Sequence, residues 1–209
     1  MTSNPTRIAT ALVALVLLAF TSACSLTRPA PVRDSFLLDP AWPPPVAKSQ
    51  LGTLRMGTVT VAAPFRGRSF VVRDTALKFD ADFYHEFFVL PGVIVTDATA
   101  QALVRAKVFA AQTPPGLVVD ANWVLDGFVR SLYADGRDAV RPEAVVEITY
   151  FLSRDDGGAT TPVWSRAYQR RIPFTAGTTS AYVAALNTGF SEILGELTSD
   201  LAAVPLPTN

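Results

Sequence analysis

Chemistry in this chain has few places to begin, because Cys24 is its only cysteine and His85 its only histidine. Glu86 follows His85, but neighbours on a strand point to opposite faces, so the two cannot serve one ligand without a bulge. Asp80-Ala81-Asp82 has the spacing of a carboxylate pair that holds a metal nucleotide, yet three residues at a turn-rich strand boundary do not specify a metal. One histidine and one thiol also fall short of a zinc site. The chain has no Gly-x-x-x-x-Gly-Lys loop, no Gly-x-Gly-x-x-Gly turn, no His-Glu-x-x-His pair and no Gly-x-Ser-x-Gly elbow. The expectation is a protein without catalytic residues, metal or cofactor, in which His85 is structural.

Cys24 has a different chemistry, set by what precedes it. Arg7 and the amino terminus form a short basic region, and Ile8 to Phe20 carries no charge. That run has the length of a secretory signal and falls below the roughly 20 apolar residues a spanning helix needs. Ala23 then places a small residue directly before the cysteine. The arrangement resembles a bacterial lipoprotein signal, with Thr21 where such signals usually carry Leu. The resemblance implies that residues 1–23 are removed and that the Cys24 thiol is acylated at the new amino terminus. An ordinary signal-peptidase site would give a sole cysteine no reason to stand there. Each buried lipid CH₂ contributes about 0.8 kcal/mol, so one chain holds weakly and two or more hold stably.

Residues 1–23 contain one of the 18 basic residues and none of the 18 acidic ones, leaving a nearly neutral chain of 186 residues. No basic field for nucleic acid exists. With Cys24 committed to lipid no internal disulfide can form, and stability must come from packing. Residues 24–50 read as a lipid-anchored, Pro-rich tether, interrupted by a short strand around Phe36-Leu37-Leu38 that would join a sheet at its edge. About 20 extended residues of this kind reach up to roughly 70 Å. Residues 51–204 form one domain.

Within that domain, alternation predicts strands at Leu54–Ala63 and Ser69–Arg73, an extended piece at Leu77–Phe79, and an aromatic strand Phe83–Leu90 stopped by Pro91-Gly92. Thr96 or Asp97 would cap an amphipathic helix ended by Pro114-Pro115-Gly116. Strands around Trp123–Tyr133, Ala144–Leu152 and Val163–Ile172 follow one another through hairpins, one marked by Asp155-Asp156-Gly157-Gly158. A last helix, capped at Thr178, Thr179 or Ser180, carries an apolar stripe from Tyr182 to Leu201 with Glu192 and Glu196 behind it. The expected class is α+β, a largely antiparallel sheet with two helices packed on one face. Trp123, Trp164, Tyr133 and Tyr168 read as core. Phe87 to Val95 is nine residues without charge, a candidate contact for a partner or lipid, with Phe88, Val93 and Ile94 as its contact residues and Val93 and Ile94 exposed after the Pro-Gly break.

These features occur in an order that resembles the ABC-type transport auxiliary lipoproteins, the group containing paraquat-inducible protein C: the signal, Phe36-Leu37-Leu38, the Val-rich strand at Met56–Val61, the aromatic strand before a helix, Trp164 and Tyr168 before Pro173, and the final helix Ala181–Leu201. That family often has Trp where Phe87-Phe88 stand here. The resemblance implies a non-enzymatic lipoprotein on the outer membrane, facing the periplasm. Its implied partners are the membrane, through its lipid, further copies of itself, and the MCE-domain protein of an ABC-type lipid transporter. An outer-membrane assembly lipoprotein that binds a β-barrel, and a periplasmic hydrolase, remain alternatives.

Overall fold

Alternating apolar positions become long strands in the computed structural model, which describes residues 32–47, 51–113, 120–157 and 160–204. The chain divides into two units, Met1–Val32 and Arg33–Asn209, and the second contains the elements that follow. The signal, Cys24 and Pro114-Pro115-Gly116 lie outside the described residues. The strands are β1 (Asp34–Phe36), β2 (Leu51–Val61), β3 (Ser69–Arg73), β4 (Phe79–Phe87), β5 (Phe109–Thr113), β6 (Trp123–Asp135), β7 (Glu143–Asp155) and β8 (Thr160–Pro173). The helices are α1 (Pro91–Ala106) and α2 (Thr179–Ala203).

The α+β class is as expected. β6, β7 and β8 form an antiparallel meander paired along nearly its whole length, and β3 with β4 is antiparallel too. The sheet is more mixed at its other junctions, where β2 and β3 run parallel to β6, β5 parallel to β2, and β1 parallel to β4. β2 and β3 lie end to end along one edge of β6. β2 pairs from Leu54↔Trp123 to Val61↔Val129, and β3 resumes at Val72↔Ala134. Between them a 3₁₀ turn, Ala63–Phe65, tucks Phe65 against Tyr133 with ring centroids 5.7 Å apart.

Both helices cover one face. α1 lies against β2 and β5, α2 against β7 and β8, and the two helices touch. Thr178 caps α2, its Oγ1 accepting from Ala181 N at 3.3 Å. The stripe Tyr182, Leu186, Phe190, Ile193, Leu197 and Leu201 is buried, each large side chain contributing about 1.5–3 kcal/mol as an upper estimate. Leu125, Val129, Ile148 and Leu152 of the sheet belong to the same core cluster, all fully buried.

Three expectations need correction. The first helix starts at Pro91 instead of Thr96 or Asp97: proline at the first helical position loses no intrahelical bond, so the residue read only as a strand stop also opens the helix. It ends at Ala106, where Lys107 takes the left-handed conformation (φ 55°) and its N–H reaches Leu103 O and Val104 O. The released residues form β5, an unexpected strand. Third, the tether is shorter than residues 24–50. Arg33 to Val46 straps the helices: Asp39 N donates to Asn187 Oδ1 (2.9 Å), Ala41 N to Ser191 Oγ (2.8 Å) and Val46 N to Ala106 O (2.8 Å). Leu38, Pro40 and Pro43 are buried beneath it, and the Arg105 guanidinium stacks on Trp42. β1 does sit at the sheet edge, as its proline neighbours require.

Among the described residues, the core holds a side-chain polar pair, Thr99 Oγ1 and Tyr150 OH, 2.7 Å apart and both shut off from water. Burial pushes the Tyr150 phenol well up, so it stays neutral. Tyr150→Phe is expected to strand the Thr99 hydroxyl and cost about 1–3 kcal/mol in urea unfolding, and adding Thr99→Val should recover most of that loss.

Candidate functional site

The interrupted β2–β3 strand leaves a gap in the sheet. β5 pairs with β2 only over Leu51–Arg55, and β4 pairs with β3, so among the described residues no strand lies outside Met56–Val61. The first turn of α1 sits beside that stretch. Gly92 permits the approach, since a Cβ there would stand 3.0 Å from Val59 O. The result is an open groove of about 660 Å³ between β2 and α1, lined by Val59, Val61, Leu90, Val93 and Thr96 among others.

Leu90, Gly92 and Val93 of the uncharged segment line this groove, and Phe88 precedes them. Phe88 is 66% exposed, Leu90 50% and Val93 45%, while Ile94 is 6% exposed. Phe88 and Val93 are therefore surface residues as expected, and Ile94 is not. Because the helix starts at Pro91, Ile94, Val95, Ala98 and Ala102 face the sheet, while Val93, Asp97 and Val104 face outward. The sequence reading missed Leu90, which closes the strand-to-helix link; its signal was its place in the same uncharged run.

The titratable groups around His85 are occupied by one another. His85 Nδ1 lies 2.8 Å from Asp82 Oδ2, and Asp82 Oδ1 accepts from the backbone N–H of Tyr84 and His85. Burial pushes the Asp82 carboxyl up, but these hydrogen bonds outweigh it and hold it below its usual value. Asp80 pairs with Lys78 Nζ at 2.5 Å, so the two carboxylates of Asp80-Ala81-Asp82 serve different partners. Glu86 pairs with Arg68 and lies 3.6 Å from Arg33. His85→Ala is expected to leave cellular function within a few-fold of wild type, read by complementation of an envelope-permeability defect; its loss in a stable, abundant variant would point to chemistry at His85.

Trp123, Tyr133 and Tyr168 are buried and Trp164 half-buried, in keeping with a core role. Two polar clusters brace the fold. Arg166 binds Asp200 (2.7 Å) and Glu196 (2.8 Å), Arg170 binds Glu192 (2.8 Å) and Glu196 (2.6 Å), and Tyr168 OH donates to Asp200 (2.7 Å). Glu192 and Glu196, expected on the outward side of α2, lean over its flank to β8. Asp135 sits between Arg137 (2.7 Å) and Arg171 (2.6 Å). The Arg137 guanidinium brings its carboxyl down to about 2, with burial opposing and the Arg137 amide and Arg171 assisting. The unfolded chain then binds more protons than the native state between about pH 4 and pH 2, so this contribution is complete above that window and fades as pH falls through it.

No protein-family model matches the chain, and no curated protein matches it. Solved structures do. A Xanthomonas campestris protein described as DUF330 superposes with TM-score 0.71 at 17% identity, over 82% of this chain and 96% of that one. A second, uncharacterized protein gives 0.62 at 10% identity, over 81% and 99%. A hypothetical protein of Chlamydia trachomatis gives 0.46 at 8% identity, over 74% and 95%. The first two share the fold of this chain.

Proposed function

We propose that this protein is a non-enzymatic, lipid-anchored component of an MCE/ABC-type lipid transport system, held on the outer membrane and facing the periplasm. It docks as a homo-oligomer onto the MCE-domain protein and helps pass lipid between the two membranes. The observation that carries the docking role is the exposed apolar edge Phe88–Val93 beside an open groove, on a domain whose polar clusters are spent on internal pairs. The order of sequence features that resembles the transport auxiliary lipoproteins supports the choice of partner.

The docked strap alters the geometry first expected for this role. With Arg33 to Val46 bound to the domain, only the nine residues from Cys24 to Val32 are left to separate it from the anchor, and at about 3.3–3.6 Å each they span at most about 30 Å, not 70 Å. The body then stays near its own membrane, and the MCE assembly must bridge the periplasm to meet it. Deleting this gene, the MCE gene, or both, tests the pathway. Equal envelope-permeability defects in all three strains are the expected result, and additive defects would separate the two proteins.

A further inference from the structure

Two turns share one end of the sheet. Arg73 of β3 is level with Asp135 of β6, and Gly136 N donates to Arg73 O at 2.9 Å, so the β3–β4 turn (residues 74–78) and the β6–β7 turn (136–142) project side by side. Their tips carry Leu77, 94% exposed, and Val140, 83% exposed, the two most exposed large apolar side chains among the described residues. The charges around them are already paired: Lys78 with Asp74 (2.8 Å) and Asp80, Arg137 with Asp135, and Arg141 with Asp138 (3.7 Å). A pair of apolar tips ringed by neutralised charge presents little to water or to an ionic partner and suits the headgroup–acyl boundary of a bilayer.

The chain itself selects the occupant. β1 runs parallel to β4, and β4 leads away from the β3–β4 turn, so followed backward from Asp34 the chain heads toward that turn. Asp34 is level with His85, six residues along β4 from Phe79, which is about 20 Å of strand. The Arg33 guanidinium lies 4.7 Å from the centre of the exposed Phe83 ring and 3.6 Å from Glu86. Drawing level with the turns would take about 20 Å of the roughly 30 Å that nine extended residues can span at most. An anchor at Cys24 therefore has only about 10 Å to spare beyond them. We infer that the Leu77 and Val140 turns rest in the surface of the membrane that holds the Cys24 lipid, fixing the orientation of the domain above it.

This inference rests on the anchored reading of Cys24 but can be tested apart from it. Two apolar side chains bind weakly by themselves, and tethering makes their insertion an intramolecular event at high effective concentration. The sole thiol allows that state to be built. The chain from Cys24 onward, coupled through Cys24 to maleimide-phosphatidylethanolamine in phosphatidylethanolamine–phosphatidylglycerol vesicles, is compared with the uncoupled protein. Leu77→Trp and Val140→Trp report insertion through quenching by bromine-labelled acyl chains. On coupling, quenching is expected to rise about twofold or more above that of the wild-type protein with its native tryptophans, because Trp settles at the interface. Phe88→Trp, on another flank, should show no rise. Turn tryptophans that stay unquenched, or quenching at Phe88→Trp instead, overturns the orientation. Mass spectrometry of the mature protein from cells, which reads acylation directly, judges the anchor separately.

Discussion

Cys24→Ser is expected to move the protein from the membrane fraction to the soluble periplasm almost completely, the largest effect any single substitution here should have. An acyl chain of ordinary length gains about 0.8 kcal/mol for each buried CH₂, and two or more chains anchor stably. Against that, Leu77 and Val140 offer two side chains whose contact is weak once the tether is cut. No helix among the described residues is long and apolar enough to cross a membrane and take over the task. Fractionation of wild type and variant, with mass spectrometry of the amino terminus, reads the outcome. An unmodified Cys24 in a membrane-bound wild-type protein would remove lipid as the anchor.

A second large effect is expected at the groove. Val93→Asp together with Phe88→Asp should weaken docking to the MCE protein by about 30-fold or more, the consequence of placing two charges in the apolar centre of a contact. Both side chains are exposed, so the domain itself should unfold at the same urea concentration as wild type. Ile94→Asp cannot serve this purpose. Ile94 is buried between α1 and the sheet, and a charge there should destabilise the domain by several kcal/mol whatever it docks with. Unchanged binding of the Phe88/Val93 double variant would place the contact elsewhere on the surface.

How much of this was readable from residue order depends on the kind of signal. The β6–β7–β8 meander and α2 are legible because period-2 and period-3.6 patterns continue long enough to be unambiguous, with Gly157 (φ 79°) and Thr178 marking ends. α1 was harder at both ends. Pro91 stops a strand and starts a helix with equal ease, and the C-cap is Lys107 where a glycine would have announced it. Once that stop was invisible, Phe109 to Thr113 looked like more helix and β5 was lost. Parallel pairing of β2 and β3 with β6 leaves no mark in alternation, since a strand's pattern records which face is buried and not which neighbour it keeps. The strap failed for another reason: its prolines indicate extended chain, and extended chain can lie on a surface as readily as it can span water. Exposure followed from these elements, so Val93 was expected at the surface, where it lies, and Ile94 was misplaced by the helix start.

The central claim is docking on an MCE protein, and one measurement tests it most directly. The protein lacking residues 1–24 is mixed with the periplasmic portion of an MCE protein from the same organism, and native masses are read by light scattering during size exclusion. The account predicts an oligomer of this chain alone and a larger complex with the MCE portion. A monomer at every concentration that never co-elutes with the MCE portion would contradict it.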